Sequence, residues 1–137
     1  MNVRIPTACF LLLIATGGSF AESTTSQGVF TEEQAKRGAA AYGANCAGCH
    51  GADLHSTDRE VPDLTGRPFK DGWVSKTIFE KFEAAREMPP REERSLTDQM
   101  YLDIVTFILR FNKVPAGATE LKSDEQLLRQ IKIGDPG

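Results

Sequence analysis

Cys46-Ala47-Gly48-Cys49-His50 is the stretch of this 137-residue chain best equipped for chemistry. Two thiols three residues apart, with an imidazole directly behind them, are open to four uses. They can close a disulfide, cycle as a redox dithiol, share zinc with His50 and His55, or form thioethers to one porphyrin. A redox dithiol follows a strand in an α/β pattern, and no strand signal precedes Cys46. A zinc finger needs two separated ligand pairs, which Cys46, Cys49, His50 and His55 do not supply. The order C-x-x-C-H is the attachment signature of c-type haem. Its two thiols can reach the two vinyl groups of one macrocycle, and His50 then presents a ring nitrogen to the iron. Small Ala47 and Gly48 keep the intervening backbone close to the porphyrin edge.

A second axial ligand has few sources. Beyond residue 21 the chain holds two methionines, Met88 and Met100, and one histidine besides His50, namely His55. Met100 stands four residues from both Leu96 and Ile104, on an apolar helical stripe, and is predicted to pack in the core. His55 lies in the polar run Asp53-Leu54-His55-Ser56-Thr57 and reads as a solvated loop residue, with ligation as its alternative. Met88 leaves a helix into Pro89-Pro90, which stiffens the backbone and frees the side chain from the helix. Met88 is the preferred candidate.

The elements that must position these residues follow an amino-terminal export signal. Arg4 precedes an apolar run, Ala8 to Ala15, that is too short to span a bilayer. Ser19 and Ala21 then fit a small-residue cleavage site, so residues 1–21 read as a signal peptide and the mature chain starts at Glu22. Cleavage removes Cys9 and leaves Cys46 and Cys49 as the only thiols. Beyond it no apolar stretch is long enough to span a membrane, so a soluble periplasmic product is predicted. The net charge of −3 and pI near 5.4 offer no broad basic surface for nucleic acid or anionic lipid.

Residues 22–29 read as a mobile lead-in. Thr31-Glu32-Glu33-Gln34 has the form of a capping box, and Ala35, Gly38, Ala39 and Tyr42 share one face of the helix it starts. Gly38 costs about 1 kcal/mol inside a helix, which close approach of another backbone would offset. Residues 51–70 read as a long loop. A second helix is predicted from about Gly72 to Glu87, capped by Asp71, with Val74, Ile78, Phe82 and Ala85 on its buried stripe. A third runs from about Leu96 to Phe111, with Gln99, Asp103, Thr106 and Arg110 as its polar stripe. Asp124 to Ile131 reads as one or two helical turns, with Leu127, Leu128 and Ile131 packing back on the domain. No strand is predicted. Three helices and long loops give so short a chain a small core, and a large buried cofactor would complete it.

With these features the chain resembles the monohaem class I cytochromes c, from about Phe30 to Leu121. The resemblance implies an all-α fold: three main helices and long loops around one haem c bound through two thioethers. It sets the domain at residues 30–115, with 116–137 as a carboxy-terminal extension. Gly38 and Tyr42 resemble the Gly-x-x-x-aromatic pattern of that family's first helix, and Ile104 and Phe107 the facing positions on its last. Pro62-Asp63-Leu64-Thr65-Gly66 resembles the loop whose proline carbonyl accepts a hydrogen bond from the proximal histidine. That assigns Pro62 to His50 Nδ1, with Val61 standing where members often have glycine. Met88-Pro89 resembles the distal methionine motif, and Trp73 an aromatic often near the propionates. The run Asn112 to Gly117, followed by Glu120-Leu121, is similar to cytochrome c domains that serve periplasmic quinoprotein alcohol dehydrogenases.

The implied function is one-electron transfer with His50 and Met88 as iron ligands, and not enzymatic catalysis. The partners implied are redox proteins: a periplasmic dehydrogenase, an oxidase or another cytochrome. The chain would act as a monomeric carrier or as a fixed subunit of a larger complex. A gas-binding or peroxidatic protein is the alternative, in which Met88 yields its place and His55 or Arg86 faces a bound ligand.

Overall fold

Thr31 is extended, and its hydroxyl accepts the Gln34 amide hydrogen, which opens the first long helix. The computed structural model describes residues 23–137, and the predicted signal peptide, residues 1–21, lies outside them. The helices in chain order are α1 (Glu32–Asn45), α2 (Ala47–His50), α3 (Gly66–Trp73), α4 (Ile78–Arg86), α5 (Asp98–Phe111) and α6 (Glu125–Gln130). Two short strands, β1 (Ser23–Thr24) and β2 (Ile131–Lys132), pair in parallel, Ser23 with Ile131 and Thr24 with Lys132. No helix among the described residues is long and apolar enough to cross a membrane.

The capping box predicted at Thr31 is half realised, because Gln34 turns inward. Its side chain is fully buried. It donates to Asp103 Oδ1 (3.1 Å) and the Leu121 carbonyl (2.9 Å), and accepts from the Leu121 amide (2.8 Å). One residue thus pins α1 to α5 and to the chain beyond it.

At the α1–α5 crossing the two helix backbones come into direct contact. A Cβ on Gly38 would lie 1.8 Å from the Asp103 carbonyl oxygen, so only glycine fits. This proximity also explains why the middle of the polar stripe of α5 is not a wet face: Asp103 and Thr106 are buried, whereas Arg110 is exposed. The Asp103 carboxylate accepts from Gln34, Arg37 (3.0 Å) and Gln99 (2.8 Å), while Thr106 Oγ1 donates to the Asp103 carbonyl (2.7 Å). Leu102, Val105 and Leu109 on another face of α5 are fully buried. Met100, predicted in the core, is instead 37% exposed, as is Phe111 farther along α5 at 43%.

The single helix predicted over Gly72–Glu87 is instead two helices. Val74 is extended (φ −60°, ψ 139°) and Ser75 takes φ 69°, which breaks the helical path. Asp71, predicted as a cap, is therefore inside α3, whose first five residues fall in the stretch predicted as loop, 51–70. Thr77, not Asp71, caps α4: its hydroxyl accepts from Glu80 N (3.2 Å) and its amide donates to Glu80 Oε2 (2.7 Å). Thr77-Ile78-Phe79-Glu80 carries that capping box in plain sequence.

The lead-in is also tied down. Thr25 is fully buried and its Oγ1 accepts from the Gly134 amide (3.1 Å), while the Gly117 amide donates to the Phe30 carbonyl (2.6 Å). Pairing with the distant residues 131 and 132 leaves no local periodicity to read. In the carboxy-terminal segment Leu121, Leu128, Ile131 and Ile133 are buried, whereas Leu127 is 42% exposed on the outer side of α6.

Candidate haem attachment site

Tyr42 delivers the chain to the attachment turn. Its carbonyl accepts from the Cys46 amide (2.8 Å), ending α1, and α2 begins at once with His50 N donating to the Cys46 carbonyl (3.0 Å). Cys46, Cys49 and His50 therefore share a single helical turn. Both thiols are free; Cys46 is half-buried against the core and Cys49 is exposed.

Burial pushes the Cys46 thiol up to about 11, with the neighbouring Cys49 adding to the shift. A redox dithiol needs the opposite, a thiol made acidic enough to attack as thiolate. Nor does a zinc set assemble, since no group of three or more His, Cys, Asp or Glu among the described residues is placed to hold a metal ion.

His50 Nδ1 lies 3.0 Å from the Pro62 carbonyl oxygen. A carbonyl can only accept, so Nδ1 carries the proton and Nε2 keeps its lone pair for a metal. Two free thiols and a ring nitrogen of fixed tautomer on one turn are the donor set that covalent haem requires.

The turn is closed from behind. Gly51 takes φ 77°, and a Cβ there would sit 2.0 Å from the His55 carbonyl oxygen. Tyr42 donates its hydroxyl to the Gly51 carbonyl (2.8 Å), and burial, followed by the charges of Cys46 and Asp53, pushes that phenol up to about 12. The Tyr42 ring also meets Phe107 at 5.1 Å, joining the turn to α5.

Sequence reasoning missed several supporting residues of the Pro62 loop. Asp63 Oδ1 accepts from the Ser56 amide (2.7 Å), and Ser56 Oγ donates to the Cys49 carbonyl (3.0 Å). On the far side Asn112 Nδ2 donates to the Leu64 carbonyl (2.9 Å), and Thr65 bonds Asn112 Oδ1 (2.9 Å). These contacts lie beyond the reach of a local side-chain turn, so no short-range turn signature in the sequence points to them.

The remaining candidates sit elsewhere. His55 is exposed and pairs through Nδ1 with Asp63 Oδ2 (3.2 Å). Trp73 is buried and stacks on Phe69 at 5.5 Å, with Lys81 over its ring. Arg86 is held by Glu83 and Asp98 and lies over the Phe82 ring, so it is engaged rather than poised. Met88 follows α4, is 43% exposed, and has its carbonyl bonded by the Tyr101 hydroxyl (3.2 Å). The structure thus gathers Cys46, Cys49, His50 and Pro62, and sets Met88 on a separate turn beside α5.

Residues 33–108 match the family model described as cytochrome C oxidase, cbb3-type, subunit III. No curated protein and no solved structure matches the chain. The match covers more than half of the sequence and includes the attachment turn, α5 almost to its end, and everything between. The chain belongs to this family: it is a monohaem cytochrome c, an all-α electron-transfer protein with a covalently bound haem c, and not a catalytic enzyme.

Proposed function

We propose that the protein is a periplasmic one-electron carrier in which His50 and Met88 hold the iron from opposite sides. Bound haem c supplies a one-electron Fe(III)/Fe(II) couple. The observation that carries the reading is the His50 Nδ1–Pro62 hydrogen bond on the same turn as two free thiols. That bond fixes the imidazole plane and raises its basicity, as outer-sphere acceptors do for metal-bound histidines. Met88 would hold the iron through a soft thioether, which favours Fe(II). Tyr101 holds the Met88 backbone, and Pro89-Pro90 restricts the chain after it. With both positions filled, the protein has only to bring the macrocycle edge near a partner: a periplasmic dehydrogenase on the donor side and a terminal acceptor on the other.

Met88→Ala in the holoprotein is expected to lower the reduction potential and open the iron to carbon monoxide. Met100→Leu is expected to leave both unchanged. Loss of the ring-shifted methionine methyl in Met100→Leu instead of Met88→Ala would overturn the distal assignment. Avid carbon monoxide binding by the wild type at neutral pH would favour a gas-binding role.

The family description favours a second reading, a haem subunit held in an oxidase complex. The residues would do the same work there with a permanent partner. Gel filtration of the native periplasmic fraction separates the two readings by elution as a monomer or with a large complex.

A further inference from the structure

Resting on the proposed ligation by His50, we propose that Asp63 is its positioning residue, clipping the 53–63 loop onto the attachment turn so that Pro62 stays opposite Nδ1. Between Leu54, fully buried, and Leu64, half-buried, the loop has little apolar anchorage. Thr57, Asp58, Arg59, Glu60 and Pro62 are all exposed. Polar contacts must therefore set where the Pro62 carbonyl points.

Asp63, next in chain to Pro62, uses both carboxylate oxygens. Oδ1 takes the Ser56 amide hydrogen at 2.7 Å and Oδ2 meets His55 Nδ1 at 3.2 Å. Ser56 passes the restraint on, donating Oγ to the carbonyl of Cys49, the residue before His50. A closed path thus runs from His50 through Pro62, Asp63 and Ser56 to Cys49 and back to His50. The Ser56 amide, and after it His55, hold the Asp63 carboxyl below its ordinary range, so it is ionised at neutral pH and accepts at full strength.

Opening this path weakens the hydrogen bond from Nδ1–H to the Pro62 carbonyl and makes His50 a poorer electron donor, which disfavours Fe(III) and raises the potential. Removing the Asp63 charge would raise it too, through space, so the test must separate the effects. Asp63→Ala removes charge and clip together, whereas Asp63→Asn removes the charge but keeps an oxygen able to accept from Ser56 N.

In the holoprotein, Asp63→Ala is expected to raise the potential and speed solvent exchange of the His50 Nδ1 proton about tenfold by NMR. Asp63→Asn should restore slow exchange and much of the potential. Ser56→Ala, which changes no charge, keeps the backbone amide that Asp63 holds and removes the hydroxyl's bonds to Cys49 and to Asp58. It should shift both readouts the same way by less, and it carries the test if Asp63→Ala does not assemble. Exchange unchanged within about twofold in Asp63→Ala, or in Ser56→Ala in its place, overturns the proposal. So do equal rises in potential for the Ala and Asn variants with no change in exchange, which would be a bare charge effect. A wild type without His50 ligation overturns the ligation reading as well, whereas ligated His50 with an unresponsive Asp63→Ala overturns the positioning role alone.

Discussion

At the α1–α5 crossing, Gly38 sets one helix backbone against the Asp103 carbonyl of the other, and Gln34 ties both to Leu121. On the attachment side, residues 51–65 have no crossing of two helices, and their close approach, Gly51 against the His55 carbonyl, lies within one loop. They are held by Tyr42 at Gly51, Ser56 at Cys49, Asp63 at Ser56 and Asn112 at Leu64. The first region fails as a unit when a single atom is added, because two helix backbones cannot both yield. The second is a series of separate fastenings, each of which can loosen while the others hold. The frame supplies rigidity, and the loop supplies a place where the environment of His50 can be adjusted without disturbing the fold.

The largest effect should come from adding a side chain at the crossing. Gly38→Val is expected to cost about 3 kcal/mol or more, seen as failure to accumulate holoprotein or a collapsed denaturant midpoint. Gly51→Ala also meets backbone, at 2.0 Å, but in a loop that can shift. About 1–3 kcal/mol is expected there. Equal costs would break the contrast between frame and loop.

Gln34→Ala tests whether the polar pin belongs to the frame. It leaves the Leu121 amide and carbonyl without their partner and removes one donor from Asp103. A loss of about 2–3 kcal/mol in denaturant unfolding is expected, with the reduction potential unmoved.

The smallest effect lies outside both regions, at the cap of α4. The Thr77 amide, before all other contacts, holds the Glu80 carboxyl below its ordinary value of 4.5. The folded pKa is therefore the lower one, so the stabilisation is complete above 4.5 and is lost as pH falls through the folded value. The advantage of wild type over Glu80→Gln in thermal unfolding should be steady near neutral pH and fade below about 4.5. An advantage that persisted in acid would show the cap to act without its charge.

The same contrast explains what was legible in the sequence. Helical spacing exposes α1 and α5, and Gly38 in an otherwise sound helix already implies a close neighbour. C-x-x-C-H exposes the attachment turn because covalent chemistry demands adjacent residues. Asp63, Ser56 and Asn112 act through a few side-chain hydrogen bonds to partners outside any helical period, which leave no repeat to detect. The break between α3 and α4 was written in the capping box at Thr77, but the apolar stripe of Val74, Ile78 and Phe82 suggested an unbroken helix. A glutamine at position 34 has two good uses, in the cap or in the core, and only the arrival of Leu121 decides between them.

The parallel pairing of Ser23–Thr24 with Ile131–Lys132 has a mechanical consequence. In a parallel pair, the chain enters at one end of the ribbon and leaves at the other. A pull between the two ends therefore loads the strand hydrogen bonds together, in shear, instead of opening them one after another. Tension between the ends meets this clasp before it reaches α1, so the turn carrying Cys46 and Cys49 is shielded from strain transmitted along the chain.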